Sequence, residues 1–150
     1  MVSAAYFDSS ALIPLYVTQA FSPRADRAVV RGRRVPFTVL HQLEVRNALR
    51  LLCGRKMITA AQRDGALAQV EEDLAGRRLV PTVLDLSRTF ERALALSKDH
   101  AERLLCRALD TLHVAAALEL GTSRFVSADG RQIALARAVD LDTVDIRGSR

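Results

Sequence analysis

Short apolar segments alternate with longer helical segments from one end of the chain to the other. Strands are predicted at residues 3–7, 34–38, 79–84, 124–127 and 141–146. Helices are predicted between them, at residues 11–19, 23–31, 39–53, 60–74, 86–100, 104–120 and 132–138. This alternation predicts an α/β fold, in which a central, mainly parallel sheet of four or five strands carries helices on both faces.

The length and composition are those of one globular domain. The chain has 150 residues, of which 49% are hydrophobic and 26% are charged, and these values exclude wholesale disorder. No apolar run approaches the roughly 18 residues that span a bilayer, and the first residues lack the features of a signal peptide. We therefore expect a cytoplasmic protein with no membrane segment. Cys53 and Cys106 match no metal-binding spacing and are predicted to be buried, structural thiols in helices.

Basic residues outnumber acidic ones by 22 to 17, which gives a net charge of +5 and favours a polyanionic partner such as RNA or DNA. Nearly all of the basic residues are arginines, so a compositional bias explains the excess equally well. The densest basic stretch either follows an RNA backbone or forms a solvated helix face. It consists of Arg24, Arg27, Arg31, Arg33 and Arg34. Aromatic residues are few, which favours recognition of structured RNA over base stacking.

Two aspartates follow predicted strands. Asp8 comes after the first strand, and Asp129 comes after the strand at residues 124–127. Parallel strands end at one edge of a sheet, where ligands bind, so these carboxylates meet if their strands are neighbours. Each aspartate by itself also fits a loop residue or a helix cap. The first turn between strand and helix lacks a glycine-rich phosphate loop, so no nucleotide cofactor is expected.

Two further acids interrupt apolar helix faces. Glu44 lies in the stripe Leu40, Ala48 and Leu51, and Asp110 lies four residues from both Cys106 and Val114. A buried carboxylate must be neutralised, paired with a cation or bound to a metal. An ion pair with an arginine is the structural alternative, and the candidate partners are Arg46, Arg107 and Arg131.

The four carboxylates together predict a metal site. Clustered carboxylates repel one another unless cations are present, and hard oxygen ligands suit Mg²⁺ or Mn²⁺. Such a site can bind a phosphodiester and activate a water molecule for in-line attack. His41 and His113 lie three residues from Glu44 and Asp110, respectively. Each histidine either contacts RNA or a carboxylate, or packs in the interior, and the interior position is favoured.

Four segments resemble the PIN-domain family, specifically the VapC-type toxin ribonucleases of bacterial toxin–antitoxin pairs. They are YFDSSAL at residues 6–12, LEVRNAL at 43–49, RALDTLHVA at 107–115 and FVSADGRQ at 125–132. The resemblance implies a single PIN domain over residues 1–150, with a core at about residues 4–145. It implies that the catalytic and metal-binding quartet is Asp8, Glu44, Asp110 and Asp129. It also implies that Ser10 and Ser127 support the site. Gly130 departs from the family, because many relatives carry a bulkier or basic residue there.

The same resemblance implies cleavage of RNA, often a transfer RNA or another structured RNA, that depends on Mg²⁺ or Mn²⁺. It further implies a homodimer and a small cognate antitoxin that places a peptide, often with an arginine, in the acidic pocket. Two alternatives remain: a non-catalytic nucleic-acid-binding domain whose acids are structural, and a metal-dependent DNA nuclease. A receiver-like signalling domain would need a pair of acids after the first strand and a lysine at a late strand end. It is excluded, because Asp8 stands alone and the only lysines, Lys56 and Lys98, are not at a late strand end.

Overall fold

The computed structural model describes residues 5–29 and 34–148. Its strands are β1 (Ala5–Phe7), β2 (Val35–Phe37), β3 (Leu79–Pro81), β4 (Arg124–Ser127) and β5 (Asp142–Asp145). Its helices are α1 (Ser9–Leu12), α2 (Ser22–Ala28), α3 (Val39–Gly54), α4 (Ala60–Ala75), α5 (Leu86–Leu104), α6 (Ala108–Glu119) and α7 (Gly130–Ala138). The predicted α/β alternation is therefore confirmed, strand by strand.

All strand pairs in the described ranges are parallel, but they form two sheets. A central sheet has the order β1-β4-β5, and a small sheet pairs β2 with β3. The predicted single sheet of four or five strands is thus divided into three strands and two. The Asp8 amide donates to Val126 O on β4, so the Phe7 carbonyl points to the other side of β1. There it accepts a hydrogen bond from the His41 ring, at 2.7 Å, in place of a strand amide.

The core lies on both faces of the central sheet, as predicted. Adjacent strand residues point to opposite faces. Phe7 packs against the side formed by α1 to α4, whereas Tyr6 packs against the side formed by α5 to α7. On β4, Val126 lies on the same face as Phe7, and Phe125 lies on the same face as Tyr6. Within the described part of the chain, none of the helices combines the length and the apolarity that crossing a bilayer requires.

Several helix boundaries differ from the predicted ones. The first helix ends at Leu12 and continues as a 3-10 turn through Pro14, because proline offers no amide for a longer helix. The second helix was predicted to reach residue 31, but it ends at Ala28, after which Val29 is extended. The sixth helix begins at Ala108 and not at residue 104, because Leu105 adopts a left-handed conformation with a φ of 56°.

Both cysteines are free and half-buried. Cys53 lies in α3, as expected, whereas Cys106 lies in the loop between α5 and α6. The prediction of free thiols is confirmed, and the prediction that both are helical and fully buried is wrong. The left-handed Leu105 is the cause, because it ends α5 before Cys106 is reached.

His41 is a fully buried, neutral residue that joins three elements. Its Nδ1 accepts a hydrogen bond from the Thr38 amide at 2.9 Å, at the start of α3, so its Nε2 carries the proton donated to Phe7 O. Burial, together with the nearby His113, lowers the pKa of His41 to about 3. His41 therefore replaces part of the hydrogen-bond ladder between β1 and β2, which agrees with an interior position.

We expect His41→Phe to lower the free energy of unfolding by ~2–4 kcal/mol, because two buried backbone groups lose their partner. Urea denaturation of both proteins at pH 7 measures the difference. His100→Phe, at a half-buried surface position, should change stability by less than ~0.5 kcal/mol. Equal stabilities of the two variants would contradict the role assigned to His41.

Candidate active site

The four predicted acids line one cavity at the edge where the central strands end. Its volume is about 530 Å³. β1 and β4 are neighbours, so Asp8 and Asp129, which follow them, emerge side by side. The lining residues are Asp8, Ser9, Ser10, Glu44, Arg107, Ala108, Leu109, Asp110, His113, Asp129 and Gln132. We call this cavity the acidic pocket.

Asp8 is fully buried and is held only by neutral donors. Its carboxylate accepts hydrogen bonds from Ser10 Oγ at 2.7 and 2.9 Å, from Ser127 Oγ at 3.0 Å and from the Ala11 amide at 3.1 Å. The last of these bonds caps α1. Burial raises the pKa of Asp8 to about 6, although His113 and the hydroxyl donors counteract it. Among the described residues, no cationic side chain forms an ion pair with this carboxylate.

Ser10 and Ser127 connect the ends of β1 and β4. Their hydroxyl oxygens lie 3.3 Å apart, and both reach the Asp8 carboxylate. The Ala128 amide donates to Ser10 Oγ, and the Asp129 amide donates to Ser127 Oγ, each at 2.9 Å. The two serines therefore fix the position of Asp8 relative to the turn that carries Asp129.

Glu44 is held by His113. The ring Nε2 of His113 hydrogen-bonds Glu44 Oε1, Ser9 Oγ donates to the same oxygen at 3.2 Å, and Tyr6 OH bonds His113 Nδ1 at 2.7 Å. Burial alone would raise the pKa of Glu44, but the His113 contacts and the Ser9 hydroxyl lower it. The sequence could place His113 one helix turn from Asp110, but not against Glu44.

Glu44 does not interrupt a buried stripe. The buried face of α3 consists of His41, Val45 and Leu49, whereas Leu51 is 46% exposed. The predicted buried stripe, which contained Glu44, was therefore wrong, because the residues that are buried come one position later in the sequence. Glu44 lies at the boundary between the core and the pocket, where its side chain is 25% exposed.

Asp110 and Asp129 both begin helices. Asp110 Oδ2 accepts the Arg107 amide at 2.7 Å at the start of α6. Asp129 Oδ1 accepts the Arg131 amide at 2.8 Å and the Gln132 amide at 3.4 Å at the start of α7. The capping role considered for the strand-end aspartates is therefore real, because Asp8 caps α1 and Asp129 caps α7. Within residues 5–29 and 34–148, Oδ1 of Asp110 and Oδ2 of Asp129 accept no hydrogen bond.

Arg107 is the arginine that reaches the acidic pocket. Its Nη2 lies 3.7 Å from Asp129 Oδ2, and its Nε lies 3.8 Å from Asp110 Oδ2. The side chain is 70% exposed, so these are loose, solvent-screened pairs. Of the other two candidate partners, Arg46 pairs with Glu71 instead, and Arg131 forms no ion pair within the described ranges.

The donor set of the pocket suits a hard divalent cation. Four carboxylates line it, and the buried Gln132 adds Oε1, a buried side-chain acceptor that has no hydrogen-bond partner in the described structure. Sequence reasoning missed Gln132, since a glutamine on a helix carries no distinctive pattern. Among the described residues, no group of three Asp, Glu, His or Cys side chains lies close enough together to coordinate a metal ion. Metal binding therefore stays a prediction.

The predicted RNA-binding arginines are not brought together at the pocket. Arg24 and Arg27 are exposed on α2, and Arg24 Nη1 donates to Arg147 O at 2.8 Å. Arg34 precedes β2 and shares a small cavity with Arg124, at the edge where the strands begin. Arg31 and Arg33 lie outside the described residues.

Comparison with solved structures identifies eight matching chains. Among them is the crystal structure of FitAcB from Neisseria gonorrhoeae, which matches with a TM-score of 0.66 at 15% sequence identity, over 97% of this chain and 99% of that chain. The chain has a PIN-like fold. No protein-family model matches the sequence, and no curated protein matches it significantly. At this identity the likeness concerns the fold alone.

The buried charge of Asp8 predicts a stability that depends on pH. Because burial raises the folded pKa to about 6 from an ordinary 3.8, the folded state favours the protonated form. The stability contributed by Asp8 is therefore complete below about pH 4 and is lost as the pH rises through 6. In the presence of chelator, we expect Asp8→Asn to be more stable than wild type by about 2–3 kcal/mol at pH 8, and by little at pH 4.

Urea denaturation at several pH values measures this difference. Asp64→Asn, at an exposed carboxylate paired with Arg63, is the matched control and should show no such gain at pH 8. A wild-type protein as stable as Asp8→Asn at pH 8 would contradict the buried, unpaired carboxylate.

Proposed function

We propose that the protein is an endoribonuclease dependent on Mg²⁺ or Mn²⁺, and the VapC-type toxin of a bacterial toxin–antitoxin pair. The observation that carries the proposal is the meeting of four carboxylates in one cavity, with Asp8 fully buried and without a cationic partner in the described residues. A buried charge without a counter-ion is costly, and proteins retain such groups where function requires them.

Asp8, Glu44, Asp110 and Asp129 would hold the ion, with Gln132 facing the same cavity. The bound ion supplies positive charge for the phosphodiester and a water molecule of lowered pKa. The protein's own part is to hold the ligands in place. Ser10 and Ser127 fix Asp8, and His113 fixes Glu44.

Arg107 is suited to contact the phosphodiester as it enters. Its guanidinium is exposed at the mouth of the pocket and is paired only loosely with Asp110 and Asp129. A guanidinium matches the geometry of phosphate oxygens and stays charged at every physiological pH. Turning toward a phosphate would therefore cost the side chain little.

The partners follow from the same proposal. Structured RNA such as transfer RNA is the proposed substrate, and a small cognate antitoxin is the proposed inhibitor, acting on a cytoplasmic homodimer. The four-segment resemblance and the PIN-like fold support these partners. An antitoxin arginine entering the acidic pocket would supply the positive charge that Asp8 lacks.

A non-catalytic nucleic-acid-binding domain is the second candidate. It is favoured by the structural tasks of the acids, because Asp110 and Asp129 cap helices and Glu44 bonds His113. A metal-dependent DNA nuclease is a third possibility, since water activated at the site needs no 2′-hydroxyl. The substrates in the assay below distinguish the three.

Cleavage of total cellular RNA by the wild-type chain should require Mg²⁺ or Mn²⁺ and stop with chelator. We expect Asp8→Asn to lower the rate by at least ~100-fold, because a ligand of the ion is lost. Asp64→Asn, which removes an exposed carboxylate far from the pocket, should retain the wild-type rate. Single-stranded and duplex DNA should remain intact under the same conditions.

Cleavage that persists in Asp8→Asn or in chelator would overturn the metal–carboxylate mechanism. Binding of RNA without cleavage in every metal would favour the non-catalytic domain. Cleavage of DNA at the rate of RNA would favour the DNA nuclease.

A further inference from the structure

A second cavity lies beside the acidic pocket and is basic. Its volume is about 960 Å³, within the range of small-molecule sites. It is formed by the end of β5 with the turn after it, by the end of α7 and by Phe21 at the start of α2. Its lining residues are Phe21, Arg137, Thr143, Val144, Asp145, Arg147 and Gly148. We call it the basic cavity.

Arg147 is held in a fixed position at the wall of the basic cavity. Its guanidinium forms a two-point ion pair with Asp145, with Nε and Nη2 at 3.0 and 2.6 Å, and its amide donates to the same carboxylate. Its carbonyl accepts Arg24 Nη1. The turn continues to Gly148, whose φ of 90° favours glycine, and a Cβ there would lie 2.7 Å from the Arg24 guanidinium.

The Arg147 guanidinium also connects the basic cavity to the acidic pocket. It lies against Gly130, where a Cβ atom would be only 3.0 Å from Nη2 and 3.1 Å from Nη1. Gly130 directly follows Asp129, which lines the acidic pocket. One residue therefore separates the two cavities, and the missing side chain at position 130 leaves the space that the guanidinium occupies.

The chemistry of the basic cavity suits a nucleotide. Two arginines, Arg137 and Arg147, line the cavity together with a single carboxylate, Asp145, so the net charge of its lining is positive. Arg137 donates only its Nε, to Thr143 Oγ1 at 2.9 Å, and its two terminal groups make no other hydrogen bond with described residues. Phe21 is half-buried against the core and lines the cavity, so the exposed part of its ring can contact a base.

We propose that the basic cavity binds a nucleotide of the RNA strand adjacent to the scissile phosphate. Arg137 and Arg147 contact its phosphate, and Phe21 contacts its base. This inference rests on the proposed ribonuclease function and names a substrate subsite for it. Of the arginines predicted to contact RNA, Arg24 is joined to this cavity by its hydrogen bond to the Arg147 carbonyl.

The test measures binding of a fluorescein-labelled single-stranded uridine decamer to the Asp8→Asn chain in chelator, by anisotropy over a range of salt concentrations. Adding Arg147→Ala or Arg137→Ala should weaken binding by about 3–10-fold and lower the salt slope by about one. The matched control is Arg124→Ala, which also removes an arginine paired with a β5 aspartate, here through one contact with Asp142, but at the opposite end of the strands. It should weaken binding by less than about 2-fold.

Gly130→Ala adds a test of geometry at constant charge. The new methyl would lie 3.0 Å from Arg147 Nη2 and would push the guanidinium aside by a small distance, so binding should weaken by less than in Arg147→Ala although no arginine is lost. Thermal unfolding monitored by circular dichroism verifies that each variant folds.

Cleavage of RNA by the wild-type chain is measured separately, so the two proposals fail separately. Equal losses in Arg147→Ala and Arg124→Ala, or no binding of the decamer at 50 mM salt, overturn the subsite even if the wild type cleaves RNA. A loss specific to Arg147 and Arg137 shows that the basic cavity binds a nucleotide, and if the wild type then cleaves nothing, the ribonuclease function fails while nucleotide binding by the cavity stands.

Discussion

The carboxylate of Asp8 is the constraint on which the arrangement of the site depends. It is fully buried, yet it receives only neutral hydrogen bonds, from two serines and one backbone amide. Those bonds hold the end of β1 to the end of β4 and begin α1 at the same point. Asp8 therefore organises the junction of strands and helices while keeping a charge that the folded state does not favour.

A layer of packed aromatic and imidazole rings lies beneath the pocket and connects the core to the acids through hydrogen bonds. The Tyr6 ring lies 5.0 Å from His41, 5.8 Å from His113 and 5.6 Å from Phe125, measured between centroids. His41 bonds the backbone of β1, whereas His113 bonds Glu44. The two histidines, similar in sequence context, thus have different tasks: one replaces part of a strand ladder, and the other positions a carboxylate.

The sequence predicts the alternating fold and the meeting of Asp8 and Asp129, because parallel strands must end at one edge. It places Glu44 near the site for a wrong reason, since small rotations around a helix exceed what apolar spacing resolves. The loose pair of Arg107 with Asp129 and the position of Arg147 against the start of α7 come from contacts between distant segments. No local pattern encodes such contacts. Between the two sheets, the bond from His41 to the Phe7 carbonyl is likewise a contact of a side chain with a distant strand.

The central claim is that the acidic pocket is built to bind a divalent cation. Electron paramagnetic resonance of Mn²⁺ titrated into the metal-stripped wild-type chain measures free ion directly and tests this claim without any substrate. We expect saturable loss of the free Mn²⁺ signal, competition by Mg²⁺, and no comparable loss with Asp8→Asn. A free Mn²⁺ signal that is the same with and without the wild-type protein would contradict it, and the acids would then be structural.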